Sequence, residues 1–215
     1  MVAQYFAHVE TWVFDLDNTL YPPSADLFGQ MDKRFSAYVA RLTGLPRDKA
    51  LQLCADYWDQ YGSTLIGLIA HHDVDPHHFL ADVHDIDITH LRPDPALTQA
   101  IADLPGRCIV FTNGSFAHAT RVLAARGLTR QFDAVYGVEQ AEFHPKPTQS
   151  AFSTVFDKDG VVPEKAAMFE DEARNLAVPF DLGMRTVHVH ETPQDSPYIH
   201  HGAQDLPEFL SQLVR

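Results

Sequence analysis

The chain has 215 residues, enough for one well-buried α/β domain with a modest insertion and too few for two large domains. Hydrophobic residues make up 45% and charged residues 21%, the balance of an ordinary soluble globular protein. Sixteen Lys and Arg against 29 Asp and Glu give a formal net charge of −13, which argues against a nucleic-acid polymer or an anionic membrane as partner. A small phosphate ester would be repelled too, unless a metal or a local positive pocket reverses the field.

The first element is Thr11–Asp15 (TWVFD), a short apolar run rich in β-formers that reads as a buried strand ending in a carboxylate. Tyr21-Pro22-Pro23 breaks the chain, and Ser24 is placed to cap a helix carrying Leu27, Met31, Phe35, Tyr38, Val39 and Leu42 at helical spacing, closed by Gly44. A second amphipathic helix runs from about Pro46 to Gly62, with Leu51, Cys54, Ala55, Trp58 and Tyr61 on one face. Leu65–Ala70 and Pro76–His84 read as two shorter helices. Four helices with no strand among them predict a helical module over residues 22–91.

The pattern changes at Arg92-Pro93-Asp94-Pro95. Helix Ala96–Leu104, strand Arg107–Phe111, helix Ser115–Arg126, strand Ala134–Gly137 and helix Ser150–Asp157 follow. Strand Ala166–Glu170, a helical stretch interrupted by Pro179, strand Arg185–Val189 and helix Leu206–Leu213 complete the chain. Alternation of this kind predicts an α/β fold with a doubly wound parallel sheet. The core comprises residues 1–21 and 92–215, with the helical module inserted after its first strand.

In an open parallel sheet, ligands bind beyond the carboxyl ends of the strands. Asp15, Asp17 and Thr19 follow strand one, Thr112-Asn113-Gly114 follows strand two, and Glu170-Asp171 ends the fourth, with Asn175 one turn on. A loop before a helix carries His144-Pro145-Lys146-Pro147. A carboxylate such as Asp15 can attack phosphorus and form an acyl-phosphate, and Asp17, two residues on, can protonate the leaving group. Mg²⁺ held by Asp15, the Asp17 carbonyl and Asp171 would offset the repulsion between attacking anion and phosphate. Lys146 adds a point charge, and Thr112 with the Asn113 and Gly114 amides forms an anion cradle at a helix N-terminus.

The run Asp15-Leu16-Asp17-Asn18-Thr19-Leu20, then Phe111-Thr112-Asn113-Gly114, Pro145-Lys146-Pro147 and Phe169-Glu170-Asp171 with Asn175-Leu176, resembles the four ordered motifs of the haloacid dehalogenase (HAD) superfamily. The resemblance covers nearly the whole chain. It implies a Rossmann-like core with a helical cap, Asp15 as nucleophile and Asp17 as acid/base. It also implies phosphate held by Thr112, Asn113 and Lys146, a Mg²⁺ site completed by Asp171, and support from Glu170 and Asn175. More narrowly, Asp17-Asn18-Thr19-Leu20-Tyr21, Tyr61–Leu68, His84-Asp85-Ile86-Asp87 and Leu91-Arg92-Pro93-Asp94 resemble the pyrimidine 5′-nucleotidase group, departing at Ile66, where some members carry Arg. This implies UMP- or CMP-like substrates, with Tyr21, Trp58 or Tyr61 offering a ring to the base. General sugar-phosphate hydrolysis, phosphomutase and haloacid dehalogenase activity are the alternatives.

Cys54 and Cys108 have no metal-ligand spacing, and neither a leader-like N-terminus nor an apolar run of membrane length is present. A cytoplasmic monomer or homodimer acting on a small phosphorylated metabolite, a nucleotide in the narrower reading, is the expectation. The doublets His71-His72, His77-His78 and His200-His201 lack the i,i+4 pairing of a helical zinc site.

Overall fold

The computed structural model describes residues 2–214. Among these, six strands form one sheet: β1 (Thr11–Phe14), β2 (Arg107–Phe111), β3 (Ala134–Tyr136), β4 (Ala166–Glu170), β5 (Arg185–Val189) and β6 (His201–Ala203). Their order is β3-β2-β1-β4-β5-β6, and every adjacent pair is parallel. The first strand is therefore internal, and the chain builds outward from it on both sides.

Alternation along these strands explains why both faces are covered. Trp12 and Phe14 of β1, Cys108 and Val110 of β2, and Ala167 and Phe169 of β4 enter one apolar cluster. Val13, Ile109, Phe111, Ala166 and Met168, the residues between them, enter another. Neither face is polar, as expected for a parallel sheet clothed by crossover helices. Helices α5 (Pro95–Ala102), α6 (Phe116–Ala125) and α9 (Leu206–Ser211) cover the first face, and α7 (Gln149–Asp159) covers the second. Phe14 and Phe169, paired in register, stack with centroids 4.7 Å apart. A short helix, α8 (Ala177–Asp181), holds Pro179 in its first turn, where no intrahelical hydrogen bond is lost.

Between β1 and β2 lie α1 (Leu27–Thr43), α2 (Arg47–Tyr61), α3 (Thr64–His72) and α4 (Pro76–Val83). They share an apolar cluster of their own, built on Val39, Ala50, Leu68, Phe79 and Val83. Gly67 lets α3 approach α2, because a Cβ there would run into the Tyr57 ring. Among the described residues no helix is long and apolar enough to cross a membrane.

Three expectations need correction. Ser24 does not cap α1: it lies in a 3₁₀ turn, Pro23–Ala25, started by the proline pair, and Asp26 at φ 51° leads into the helix. The buried residues of α2 are Ala50, Cys54 and Tyr57, whereas Leu51 is 54% and Trp58 42% exposed. The apolar stripe of that helix is thus wider than its packed face. Strand β6 was not expected; its three residues include a glycine and form no apolar run.

Candidate active site

Three loops meet because their strands are neighbours. Asp15 extends the ladder of β1, its amide donating to Phe169 O at 2.9 Å. Asn18, at φ 59°, then turns the chain, and the amides of Thr19 and Leu20 bond back to Leu16 O. Asp15 and Asp17 therefore project from a single turn. On one side β2 delivers Thr112-Asn113-Gly114, and on the other β4 delivers Glu170-Asp171.

Lys146 comes from the loop before α7 and is gripped by Asn113, whose Nδ2 donates to Lys146 O at 3.0 Å while its Oδ1 accepts from Lys146 N at 2.8 Å. The buried ammonium donates to Asp15 Oδ1 at 2.7 Å, Glu170 Oε2 at 2.6 Å and Phe111 O at 2.9 Å. All three of its protons are thereby engaged by the protein. Burial pulls the ammonium toward neutrality, but Asp15 and Glu170 outweigh it and hold the charge firmly. Glu170 is itself fixed from behind: its Oε1 accepts from Asn175 Nδ2 at 3.2 Å and Glu172 N at 3.3 Å.

Asp15 Oδ2, by contrast, accepts no hydrogen bond among the described residues, and Asp15 borders the cleft. Burial, reinforced by the Glu170 charge, raises the Asp15 carboxyl well above the usual carboxylate range. Burial, with Asp15 and Glu170, does the same to Asp171. Asp171 Oδ2 accepts from Asn18 Nδ2 at 3.2 Å. Oxygens of Asp15, Glu170 and Asp171 lie within 4.8 Å of one another. Three crowded carboxylates facing one ammonium suit a hard divalent cation, so these residues fit Mg²⁺. Asp15 and Asp171 have an unengaged oxygen for it, and both Glu170 oxygens are taken.

Asp17 is placed differently. Its Oδ1 accepts from Tyr21 Oη at 2.7 Å and lies 2.8 Å from His118 Nε2, and Thr112 Oγ1 is 3.4 Å from Oδ2. Burial opposes its ionisation, yet the His118 ring and the hydrogen bonds from His118 and Tyr21 win, bringing the carboxyl down to about 2. Tyr21 is buried against Asp17, and burial raises its phenol further. It does not border the cleft, and neither does Tyr61, whose hydroxyl pairs with His71 Nε2 at 2.7 Å. Of the three rings considered for a base, Trp58 alone borders it. The Gly114 amide donates to Thr112 Oγ1 at 2.9 Å, so the expected anion cradle is partly closed on itself.

The cleft between this rim and the helical insert has a volume of about 560 Å³. Phe28, Phe35, Leu51, Cys54 and Trp58 give it an apolar wall opposite the carboxylates. Here lies the reason Leu51 and Trp58 are exposed: they face the cavity. Arg174, after β4, sets its guanidinium 3.3 Å over the Trp58 ring, joining the two walls. Arg174 and His118 were missed from the sequence, and His84, quoted there only within the narrower resemblance, was given no role in the site. The signal for His118 was its place three residues beyond Ser115, where a capped helix returns its first turn to the rim.

Residues 9–178 match the family model described as haloacid dehalogenase-like hydrolase. Phosphate metabolism protein 8 of Saccharomyces cerevisiae is 26% identical over 203 residues, covering 86% of this chain and 63% of that protein. The chain thus spans less than two thirds of that curated relative. Among solved structures, a HAD phosphatase from Thermococcus onnurineus superposes with a TM-score of 0.64 at 17% identity, covering 95% of this chain and 98% of the other. The L-2-haloacid dehalogenase of Xanthobacter autotrophicus does so at 0.59 and 17%, over 95% and 98%. These two likenesses speak for the fold alone. With its sheet order, its rim of carboxylates and a family match over most of its length, the chain belongs to the haloacid dehalogenase-like hydrolases.

Proposed function

We propose that the chain hydrolyses phosphate monoesters through a phosphoaspartyl intermediate on Asp15, with pyrimidine nucleoside 5′-monophosphates as substrates. The observation carrying this reading is Asp15 on the cleft beside Asp17, braced through Oδ1 by Lys146 and with Oδ2 unengaged among the described residues. Asp15 Oδ2 attacks phosphorus as the ester P–O bond breaks, and Asp17, ionised in the free site, takes up a proton as the negatively charged phosphate enters beside it and gives that proton to the departing oxygen. A water then loses a proton to Asp17 and attacks phosphorus, releasing inorganic phosphate and regenerating the Asp15 carboxylate. Asp15, Asp171 and the Asp17 carbonyl would hold Mg²⁺, which when bound supplies positive charge against the phosphoryl oxygens. Lys146 keeps Asp15 and Glu170 compensated throughout.

A nucleotide is favoured by the cavity's size, within the range typical of small-molecule sites, and by its apolar wall with a flat Trp58 ring. Dehalogenation is disfavoured because a departing halide needs neither the proton of Asp17 nor a cation at Asp171. A reducing cytoplasmic setting suits the buried, unpaired thiols of Cys54 and Cys108.

The test is phosphate release with Mg²⁺ from UMP, CMP, dTMP, AMP, GMP and several sugar phosphates. UMP and CMP should be fastest, and Asp15→Asn should lower turnover by roughly three orders of magnitude or more. A flat profile removes the nucleotide preference alone. No turnover of any monophosphate defeats the whole reading, and sugar-phosphate isomerisation with little released phosphate would make the chain a mutase.

A further inference from the structure

Both strong hydrogen bonds to Asp17 fall on the same oxygen. Tyr21 Oη and His118 Nε2 converge on Oδ1, at 2.7 and 2.8 Å, while Oδ2 has only the long approach of Thr112 Oγ1 at 3.4 Å. A carboxylate oxygen accepts, so the His118 proton in this contact is on Nε2. The other ring nitrogen, Nδ1, is buried without a partner among the described residues. A histidine that leaves one nitrogen orphaned to keep the other on Asp17 is not explained by filling the core.

The ring is also held in place. His118 is 1% exposed and stacks on His84 with centroids 4.5 Å apart and planes 23° from parallel. His84 is fixed in turn by donating from Nδ1 to Leu80 O at 2.9 Å. On the other side, a Cβ at Gly114 would come within 3.2 Å of His118 Cδ2 and 3.3 Å of Asp17 Oδ2. Glycine there allows the imidazole and the carboxylate to meet.

We infer that His118 is a positioning residue for the acid–base step. By occupying Oδ1 it aims Oδ2 at the substrate, making Oδ2 the atom that protonates the leaving oxygen and later accepts the proton of the attacking water. The inference rests on the phosphatase reading above. His84, from the end of α4, braces the ring, so the helical insert reaches the acid–base group through two stacked imidazoles.

Leaving-group dependence separates this role from a structural one. The full chain with Mg²⁺ is assayed on UMP, whose ribose alkoxide needs a proton, and on 4-nitrophenyl phosphate, whose phenolate hardly does. His118→Phe keeps the ring against His84 and removes the donor; His118→Gln restores an N–H near the position of Nε2. With His118→Phe, kcat/KM, which reports only the steps up to transfer of phosphate to Asp15, should fall ~100-fold on UMP and less than ~5-fold on 4-nitrophenyl phosphate, and His118→Gln should recover at least ~10-fold of it on UMP. Equal losses on both substrates, or no recovery with glutamine, overturn the inference and leave the phosphatase reading standing. Should His118→Phe melt early, the glutamine variant alone decides, by matching wild type on the aryl ester while staying within ~10-fold of it on UMP or failing to do so. Wild-type protein inactive on both esters and on every other monophosphate of the panel would defeat the phosphatase reading, and the inference with it.

Discussion

Asn113 holds the main chain of Lys146 from both sides, donating to its carbonyl at 3.0 Å and accepting from its amide at 2.8 Å. Its side-chain amide is thus the bracket that sets the ammonium between Asp15 and Glu170, a role separate from the anion contact expected of its main-chain amide. Asn113→Ala removes two hydrogen bonds and should lower kcat/KM by roughly 10- to 100-fold, with Mg²⁺ affinity nearly unchanged. Steady-state kinetics beside a Mg²⁺ titration check this; a large loss of Mg²⁺ binding would contradict it.

The crowding of Asp15, Glu170 and Asp171 makes cation removal reversible in its effects. EDTA should abolish turnover, and excess Mg²⁺ should restore it with the fold intact throughout. Asp171→Asn should weaken Mg²⁺ binding by at least about tenfold, as read by calorimetry without substrate. Unchanged affinity would remove Asp171 from the ligand set.

The Arg174 guanidinium over Trp58 links the core to the insert at the mouth of the cavity. Trp58→Ala should raise KM for a nucleotide by roughly 2- to 30-fold, the range of a cation–π contact, and leave kcat within a few-fold. Arg174→Ala should act similarly, and the double variant should add little. Additive losses from the two changes would show that the residues work separately.

Away from the site, Phe152 packs edge-on to Phe111 and against Phe156 in the face covered by α7. Phe152→Ala should cost about 3–5 kcal/mol of unfolding free energy. Denaturant titration measures it. A loss below about 1 kcal/mol would mean that the second apolar cluster rearranges around the gap.

Strands β2, β4 and β5 were readable to the residue because each is a short apolar run bounded by turn-formers. Strand β6 was not, since His201-Gly202-Ala203 is defined by pairing with Val187–Val189 and not by its own composition. The apolar stripe of α2 misled for a related reason: periodicity reports an apolar face without saying whether it meets a core or a cavity. Likewise, Asp15, Asp17, Thr112, Lys146 and Asp171 could be placed at one rim from their positions after strands. The acceptors of Lys146 could not, because a main-chain oxygen of Phe111 and a carboxylate 24 residues downstream converge only in three dimensions. Tyr21 and His118 share that limit, each defined by an oxygen of Asp17.

Internal placement of the first strand has a kinetic consequence for the reactive carboxylate. A backbone clasped by partners on either side opens to solvent with the slowest-exchanging part of a molecule. Amides of Val13 and Phe14 should therefore exchange with deuterium only through whole-molecule opening, while those of α1 and α2 exchange through smaller excursions. The wall that meets the substrate would then breathe often around a nucleophile that hardly moves.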